Sequence, residues 1–254
     1  MVFWRGRRRK KLLQTPLDDA MRAELHRAAP LCASVPGNLR ARHEGTTRVL
    51  LAGKHFEGAG GLELTDAMKL AIAGQAALLQ LREGADYYPD LDTILVYPDA
   101  FVVPNVEVDP GGHVVHEGPD ERAGESWQRG VVVISWQDAR RESRRRDGYN
   151  VILHEFAHQL DDQSGEADGT PLLPHDLTGR WAESFQAAFE RHQRDLRRGR
   201  HVLYDENAAE SPTEFFATTI ELFFEYPGDM KREFADVYAV VAAYLEIDPA
   251  TWSG

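Results

Sequence analysis

Residues 148–161 decide the fold of this chain, and they read Gly148-Tyr149-Asn150-Val151-Ile152-Leu153-His154-Glu155-Phe156-Ala157-His158-Gln159-Leu160-Asp161. Apolar residues recur in this stretch at the three- and four-residue intervals of a helix. The following pair, Ser164-Gly165, is a stop signal. The pattern predicts a largely buried helix over about residues 149–162.

Two histidines and a glutamate interrupt the apolar pattern of this helix. His154 and His158 are four residues apart, so both imidazoles project from one face and can bind a single ion, with Glu155 beside them. This His-Glu-x-x-His spacing is typical of zinc hydrolases. The alternative is a solvated helix face that carries the pattern by chance. We favour a metal site, because polar side chains buried in an apolar helix are costly unless something satisfies them.

A catalytic zinc normally takes three protein ligands and one water, so a third ligand is expected from another buried segment. The strongest candidate is Glu214, in a mostly apolar segment where Ser211 suits a helix cap and Pro212 the first helical position. Glu214 could instead complete a capping box with Ser211 and do nothing else. Glu221 is the fallback ligand, or otherwise a partner that orients a ligating histidine. Two roles are possible for Asp161, which could orient a ligand imidazole or lie at the exposed end of the helix.

The composition is that of an ordinary globular protein, with 254 residues of which 43% are hydrophobic and 28% charged. No run approaches 18 consecutive apolar residues, so no membrane span is expected. The net charge of -12 argues against nucleic acid as a direct partner, because phosphate backbones are bound by basic surfaces. Cys32 is the single cysteine, which excludes an internal disulfide and favours a cytoplasmic location.

Two segments are strongly basic. Residues 1–11 have no apolar stretch of signal-peptide length after the basic run, and we expect a disordered tail. The alternative is a weak contact with anionic lipid or an acidic partner. Residues 140–147 contain five arginines and are expected to form an exposed loop, the alternative being a basic rim that steers acidic peptides.

The remaining pattern predicts an α+β protein in which residues 12–254 form a single domain. The predicted helices comprise two segments within residues 16–42, a core helix over 65–82 and a long polar helix over 178–198. A small β-sheet is expected immediately before the histidine-bearing helix, with strands at residues 93–97, 101–103, 113–116 and 131–136.

Several long motifs, in one order between Lys11 and Tyr244, resemble the Mlc titration factor family of bacterial zinc-dependent peptidases. The catalytic region of that family is similar to that of anthrax lethal factor. The motifs are Phe56-Glu57-Gly58, residues 97–103, Gly124-Glu125-Ser126-Trp127, Val133-Ile134-Ser135-Trp136, residues 148–161 and residues 211–217. The resemblance implies a mainly helical zincin-type domain, gluzincin-like, with a small β-sheet preceding the His-Glu-x-x-His helix.

The resemblance also implies roles for single residues. Zinc would be held by His154, His158 and Glu214, with Glu155 as the catalytic base. His116 matches an upstream histidine that faces the site in this family, and it would be a further zinc ligand or would stabilise the oxyanion. Its alternative is a surface histidine at a strand end.

One position departs from the family pattern. Relatives carry a tyrosine seven residues before the ligand glutamate, suited to stabilising the oxyanion, and Asn207 stands there in this chain. Asparagine can still donate a hydrogen bond, although its reach is shorter. Tyr204 is the candidate substitute, and the alternative for it is a surface tyrosine.

The sequence thus predicts a cytoplasmic metallopeptidase with one Zn²⁺ per chain that hydrolyses a peptide or protein substrate. It leaves open whether the enzyme is an aminopeptidase or an endopeptidase. The alternative function is a protein-interaction module that sequesters a transcriptional repressor, since members of the family resemble a factor that binds the sugar-responsive repressor Mlc. A purely structural zinc is disfavoured, because such sites are usually closed by four cysteine-rich ligands.

Overall fold

The computed structural model describes residues 2–99, 105–108, 114–118 and 130–252 as a mainly helical protein with a small parallel sheet. Its α-helices are α1 (Val2–Leu13), α2 (Asp19–Ala28), α3 (Gly37–Gly53), α4 (Asp66–Leu78), α5 (Trp136–Glu142), α6 (Val151–Asp161), α7 (Thr178–Arg197), α8 (Pro212–Glu225), α9 (Pro227–Glu233) and α10 (Ala235–Leu245). Its strands are β1 (His55–Gly58), β2 (Thr93–Tyr97), β3 (Asn105–Val108), β4 (Val114–Gly118) and β5 (Val131–Ser135).

Three strands form a parallel sheet in the order β1-β2-β5, and β3 pairs with β4 in antiparallel fashion. In the parallel sheet Ile94 lies opposite both Phe56 and Val132. The predicted strands at residues 93–97 and 131–136 are present. β1 is not evident from the sequence, because a four-residue strand with alternating exposure carries little signal until a parallel neighbour pairs with it. The strand predicted at residues 101–103 lies outside the described residues.

Helix α6 is held in the hydrophobic core, where it contacts α4, α8 and β5. Leu153, Phe156 and Leu160 are completely buried, and each contributes roughly 2 kcal/mol by its removal from water. Asn150 caps the helix, since its side chain accepts a hydrogen bond from the backbone N–H of Leu153. The buried helix predicted over residues 149–162 is therefore present with nearly the same bounds.

The N-terminal segment differs from the prediction of a disordered tail, because α1 is a helix that packs on α3. The end of α1 crosses α3 at Gly45, where a side chain would collide with the carbonyl group of Leu13. The guanidinium of Arg9 lies over the ring of Tyr87, 5.2 Å from its centroid. Residues 6–11 are exposed, as their composition suggests, but the segment is helical and α1 contacts α3.

The arginine-rich segment is only in part the predicted exposed loop. Residues 143–147 lie outside the helices and residues 144–147 are exposed, whereas residues 140–142 are helical. Helix α5 continues through Arg140 to Glu142, and both Ala139 and Glu142 are buried. The carboxylate of Glu142 accepts a hydrogen bond from the backbone N–H of Val151 at 2.7 Å. This contact ties the end of α5 to the start of α6, and the sequence of the segment gives no sign of it.

None of the described helices combines the length and the apolar composition that crossing a lipid bilayer requires.

The close approach of α1 and α3 can be tested at Gly45. We expect Gly45→Ala to lower the free energy of unfolding by about 1–3 kcal/mol, because the added methyl group meets backbone rather than a movable side chain. Gly53→Ala is the matched control on the same helix, since the new methyl group would have no atom within 4 Å. Chemical denaturation of the two variants makes the comparison, and equal stabilities would show that α1 is not packed at Gly45.

Candidate metal centre

The two histidines of α6 lie one turn apart with their ring centroids 4.8 Å from each other. Apolar residues on the other faces of α6 hold the helix in the core, so the position of the imidazoles is fixed by packing. Each histidine side chain nevertheless stays 21% exposed. A ligand or a metal ion can therefore reach both rings from solvent.

Glu214 reaches the same point from α8. Its Oε2 lies 3.2 Å from Nε2 of His154, and its Oε1 lies 3.4 Å from Nε2 of His158. One potential ligand atom from each of the three residues lies within 4.8 Å of the others. The structure thus brings the carboxylate of Glu214 to two imidazoles that precede it by 56 and 60 residues in the chain.

The N-terminus of α8 reconciles the two interpretations of Glu214. Ser211 caps the helix, because its hydroxyl accepts a hydrogen bond from the backbone N–H of Glu214 at 3.1 Å. The carboxylate of Glu214 meanwhile faces the histidines. The backbone N–H of Glu214 therefore takes part in the helix cap, while its carboxylate contacts both histidines.

Glu221 orients His154 from the far side of the ring. Its Oε1 lies 2.7 Å from Nδ1 of His154, and its Oε2 accepts a hydrogen bond from the backbone N–H of Asn150. Burial opposes a charge on His154, but the hydrogen bonds to Glu214 and Glu221 outweigh it and raise the pKa of His154 well above its ordinary value. Of the two alternatives for Glu221, the structure supports the partner of a ligand over the ligand.

The protonation of the other site residues is also shifted. Burial raises the pKa of Glu155 to about 7, against the charge of His154 and with the help of Glu214 and Glu221. Burial and the charge of His154 lower the pKa of His158 to about 4. A carboxyl group that titrates near neutrality, directly after His154 in the sequence, is suited to proton transfer.

A buried polar network supports the start of α6, and sequence reasoning did not find it. The side-chain amide of Asn150 donates to Oε1 of Gln75 at 2.8 Å and to Oε1 of Glu225 at 3.1 Å. Glu142 accepts from the backbone N–H of Val151. An asparagine just before an apolar helix is a readable cap signal, whereas the other three residues come from distant elements that only the fold brings together.

Of the residues predicted to stabilise the oxyanion, Tyr204 lies in the hydrophobic core. Tyr204 is 1% exposed, its ring stacks on Phe215 with centroids 4.5 Å apart, and its hydroxyl lies 3.1 Å from Oγ1 of Thr219. It is a core residue, which corrects both its catalytic and its surface interpretation. Asn207 begins a short 3-10 helix before α8 and is exposed. The side chain of His116, on β4, lies outside the described residues.

Asp161 fits neither of the roles considered for it. It is completely buried at the end of α6, and its carboxylate accepts hydrogen bonds from the backbone N–H groups of Gly169 and Thr170, both at 2.8 Å. It therefore holds the loop that follows α6. The turn that starts this loop could be predicted from Gly165, but the return of the chain to Asp161 could not.

Glu225 allows the network behind α6 to be tested by pH. Its side chain is 5% exposed, its Oε2 has no hydrogen-bond partner among the described residues, and burial raises its pKa from 4.5 to about 7. Because the folded state holds this proton more tightly than the unfolded chain, the contribution of Glu225 to stability falls as the pH rises from about 4.5 through 7.

We expect Glu225→Gln to remove this pH-dependent loss. At pH 8 the variant should exceed the unmodified chain in free energy of unfolding by roughly 1–3 kcal/mol, and the difference should shrink at pH 5. Urea denaturation at the two pH values measures it. A difference that does not change with pH would contradict the assignment of the buried proton to Glu225.

Related sequences show the family of this chain. The sequence model of the family described as glucose-regulated metallo-peptidase M90 matches residues 3–245. A protein of Synechocystis described as uncharacterized is 37% identical over 249 residues, which cover 97% of this chain and 90% of that protein. Mlc titration factor A of Serratia proteamaculans is 35% identical over 192 residues, which cover 74% of this chain and 72% of that protein. Mlc titration factor A of Edwardsiella ictaluri is 33% identical over 225 residues, which cover 87% of this chain and 85% of that protein. The chain therefore belongs to the M90 family of metallo-peptidases, which confirms the resemblance predicted from its motifs.

Proposed function

We propose that this chain is a zinc-dependent peptidase of the zincin type that acts in the cytoplasm. The observation that carries the proposal is the convergence of His154, His158 and Glu214 on one point, with Glu155 next to the first of them in sequence. Membership of a metallo-peptidase family supports the same chemistry. The proposed substrate is a peptide or a protein.

The donor set fits zinc. Two imidazole nitrogens and one carboxylate oxygen are a common ligand set of catalytic zinc, which keeps a fourth position open. Glu221 occupies Nδ1 of His154 and so leaves Nε2 for the metal. Among the described residues, the group that could hold an ion here consists of His154, His158 and Glu214, which is the open arrangement rather than the closed one.

The residues of the chain then have separate tasks in hydrolysis. Zinc, when bound, supplies a Lewis acid that lowers the pKa of a water and polarises the scissile carbonyl group. Glu155 takes the proton of the attacking water and passes it to the leaving amine. Glu221 keeps the ring of His154 in its orientation. We propose Asn207, through its amide N–H, and His116 as the donors that stabilise the oxyanion.

Replacing the base tests this assignment directly. We expect Glu155→Gln to retain one zinc per chain and to lose peptide hydrolysis by a factor of about 100 to 10,000, because the amide has no proton-accepting carboxylate. Metal analysis and assays on peptides with free and blocked N-termini give the two readouts and separate aminopeptidase from endopeptidase activity. Glu210→Gln, at an exposed carboxylate just before α8, is the control. Full activity of Glu155→Gln would refute the role of Glu155.

Replacing the residue that orients His154 tests the metal site. We expect Glu221→Gln to weaken zinc affinity by about 10- to 100-fold, since the ring loses its anionic hydrogen-bond partner. Glu225→Gln is the matched control one turn further along α8, because Glu225 contacts Asn150 and not a histidine. Competition with a zinc chelator of known affinity measures both variants. Equal affinities would show that Glu221 does not support the metal.

A second candidate function is the sequestration of a transcriptional repressor. Relatives that are 33–35% identical carry the name Mlc titration factor A, which connects them with Mlc. The proposed partner of this chain is a repressor of that kind, with zinc needed for binding or for stability. The variant Glu155→Gln separates the two functions in cells. If derepression survives the substitution, binding carries it, and if derepression is lost, hydrolysis does.

A further inference from the structure

A basic cavity beside α5 shares no lining residue with the metal centre. Its volume is about 460 Å³, and it is lined by Asp99, Trp136, Arg140, Arg141, Arg144 and Arg145 among others. Trp136, Arg140 and Arg144 also line an adjoining cavity of about 290 Å³. We call the two together the arginine cavity. Its size lies in the range of pockets that hold small molecules.

The arrangement of the lining residues follows from the helix. Trp136, Arg140 and Arg144 are spaced by four residues along α5 and the turn that continues it, so they project from one side. Arg140 and Arg144 are both exposed and carry the same charge. Like charges at this spacing repel each other, and nothing in the packing of α5 requires them.

The positive charge of the cavity is only partly neutralised. Arg141 forms ion pairs with Asp138 at 2.8 Å and with Glu142 at 3.0 Å. No described carboxylate lies within ion-pair distance of Arg140, Arg144 or Arg145. In a chain with a net charge of -12, three guanidinium groups that pair with no described carboxylate favour an anionic ligand at this cavity.

We propose that the arginine cavity binds a nucleoside phosphate. Guanidinium groups bind phosphate oxygens in a bidentate manner, and Arg140, Arg144 and Arg145 supply them. The indole of Trp136 offers an aromatic surface on which a base can stack. Asp99 offers a carboxylate that can accept hydrogen bonds from ribose hydroxyl groups. An acidic peptide would also satisfy the arginines, but it has no base to stack on the indole.

Calorimetric titration of the metal-loaded chain tests the proposal with five probes, which are ADP, GDP, UDP, inorganic phosphate and a hexaglutamate peptide. We expect at least one nucleotide to bind more tightly than phosphate and the peptide. The double variant Arg140→Glu, Arg144→Glu should weaken that binding by about tenfold or more, because it replaces charge-assisted hydrogen bonds with repulsion. Neither residue belongs to the metal centre, so peptide hydrolysis should be unchanged in this variant.

Two further sets of variants control for charge and for folding. Arg194→Glu, Arg198→Glu has the same spacing at the exposed end of α7 and should change nucleotide affinity by less than about twofold. Trp136→Leu should weaken nucleotide binding and leave phosphate binding as it was. Trp136→Phe keeps an aromatic ring and should retain nucleotide binding, which separates stacking from any effect on the packing of this half-buried residue.

Several outcomes would overturn the proposal. One is that no nucleotide binds, or that phosphate alone binds as tightly as the nucleotides. A second is that nucleotide affinity is the same in the Arg140→Glu, Arg144→Glu variant, which would place binding elsewhere, such as at the metal. A third is that hexaglutamate binds most tightly and depends on these arginines, which would assign the cavity to an acidic protein partner.

Discussion

The contact between α6 and α8 is the constraint on which the candidate site depends. His154 meets two carboxylates of α8, Glu214 through Nε2 and Glu221 through Nδ1, so the ring is held from both sides. The two glutamates are seven residues apart and therefore lie two turns apart on one face of α8. A shift of α8 by one turn, about 5.4 Å, would remove both contacts at once.

Apolar packing fixes this register. Phe215 and Phe216 follow Glu214 directly and are buried, and Trp181 of α7 packs edge to face against Phe216 with ring centroids 5.7 Å apart. Phe156 and Leu160 hold α6 in the same core. The favourable burial of these side chains offsets the cost of placing several carboxylates close together, because a carboxylate removed from water destabilises the fold unless it is hydrogen-bonded.

The network at the start of α6 shows how the fold meets that cost. Glu142 and Glu221 accept backbone N–H groups at the first turn of α6, where such groups have no partner within the helix. Asn150 joins Gln75 of α4 to Glu225 of α8. The polar groups that support the start of α6 thus come from α4, α5 and α8. Helix α5 contributes to both regions, because Glu142 contacts α6 and Arg140 lines the arginine cavity.

The sequence by itself determined the histidine-bearing helix, the candidate third ligand Glu214 and the cap at Ser211, because helical periodicity and capping are local properties of the chain. Only the tertiary structure decided that Tyr204 is a core residue, that α1 is helical and that Glu142 reaches α6. Each of these depends on a contact between residues at least nine positions apart. Whether such a group is buried and paired is set by the neighbours that folding supplies, and no local pattern encodes them.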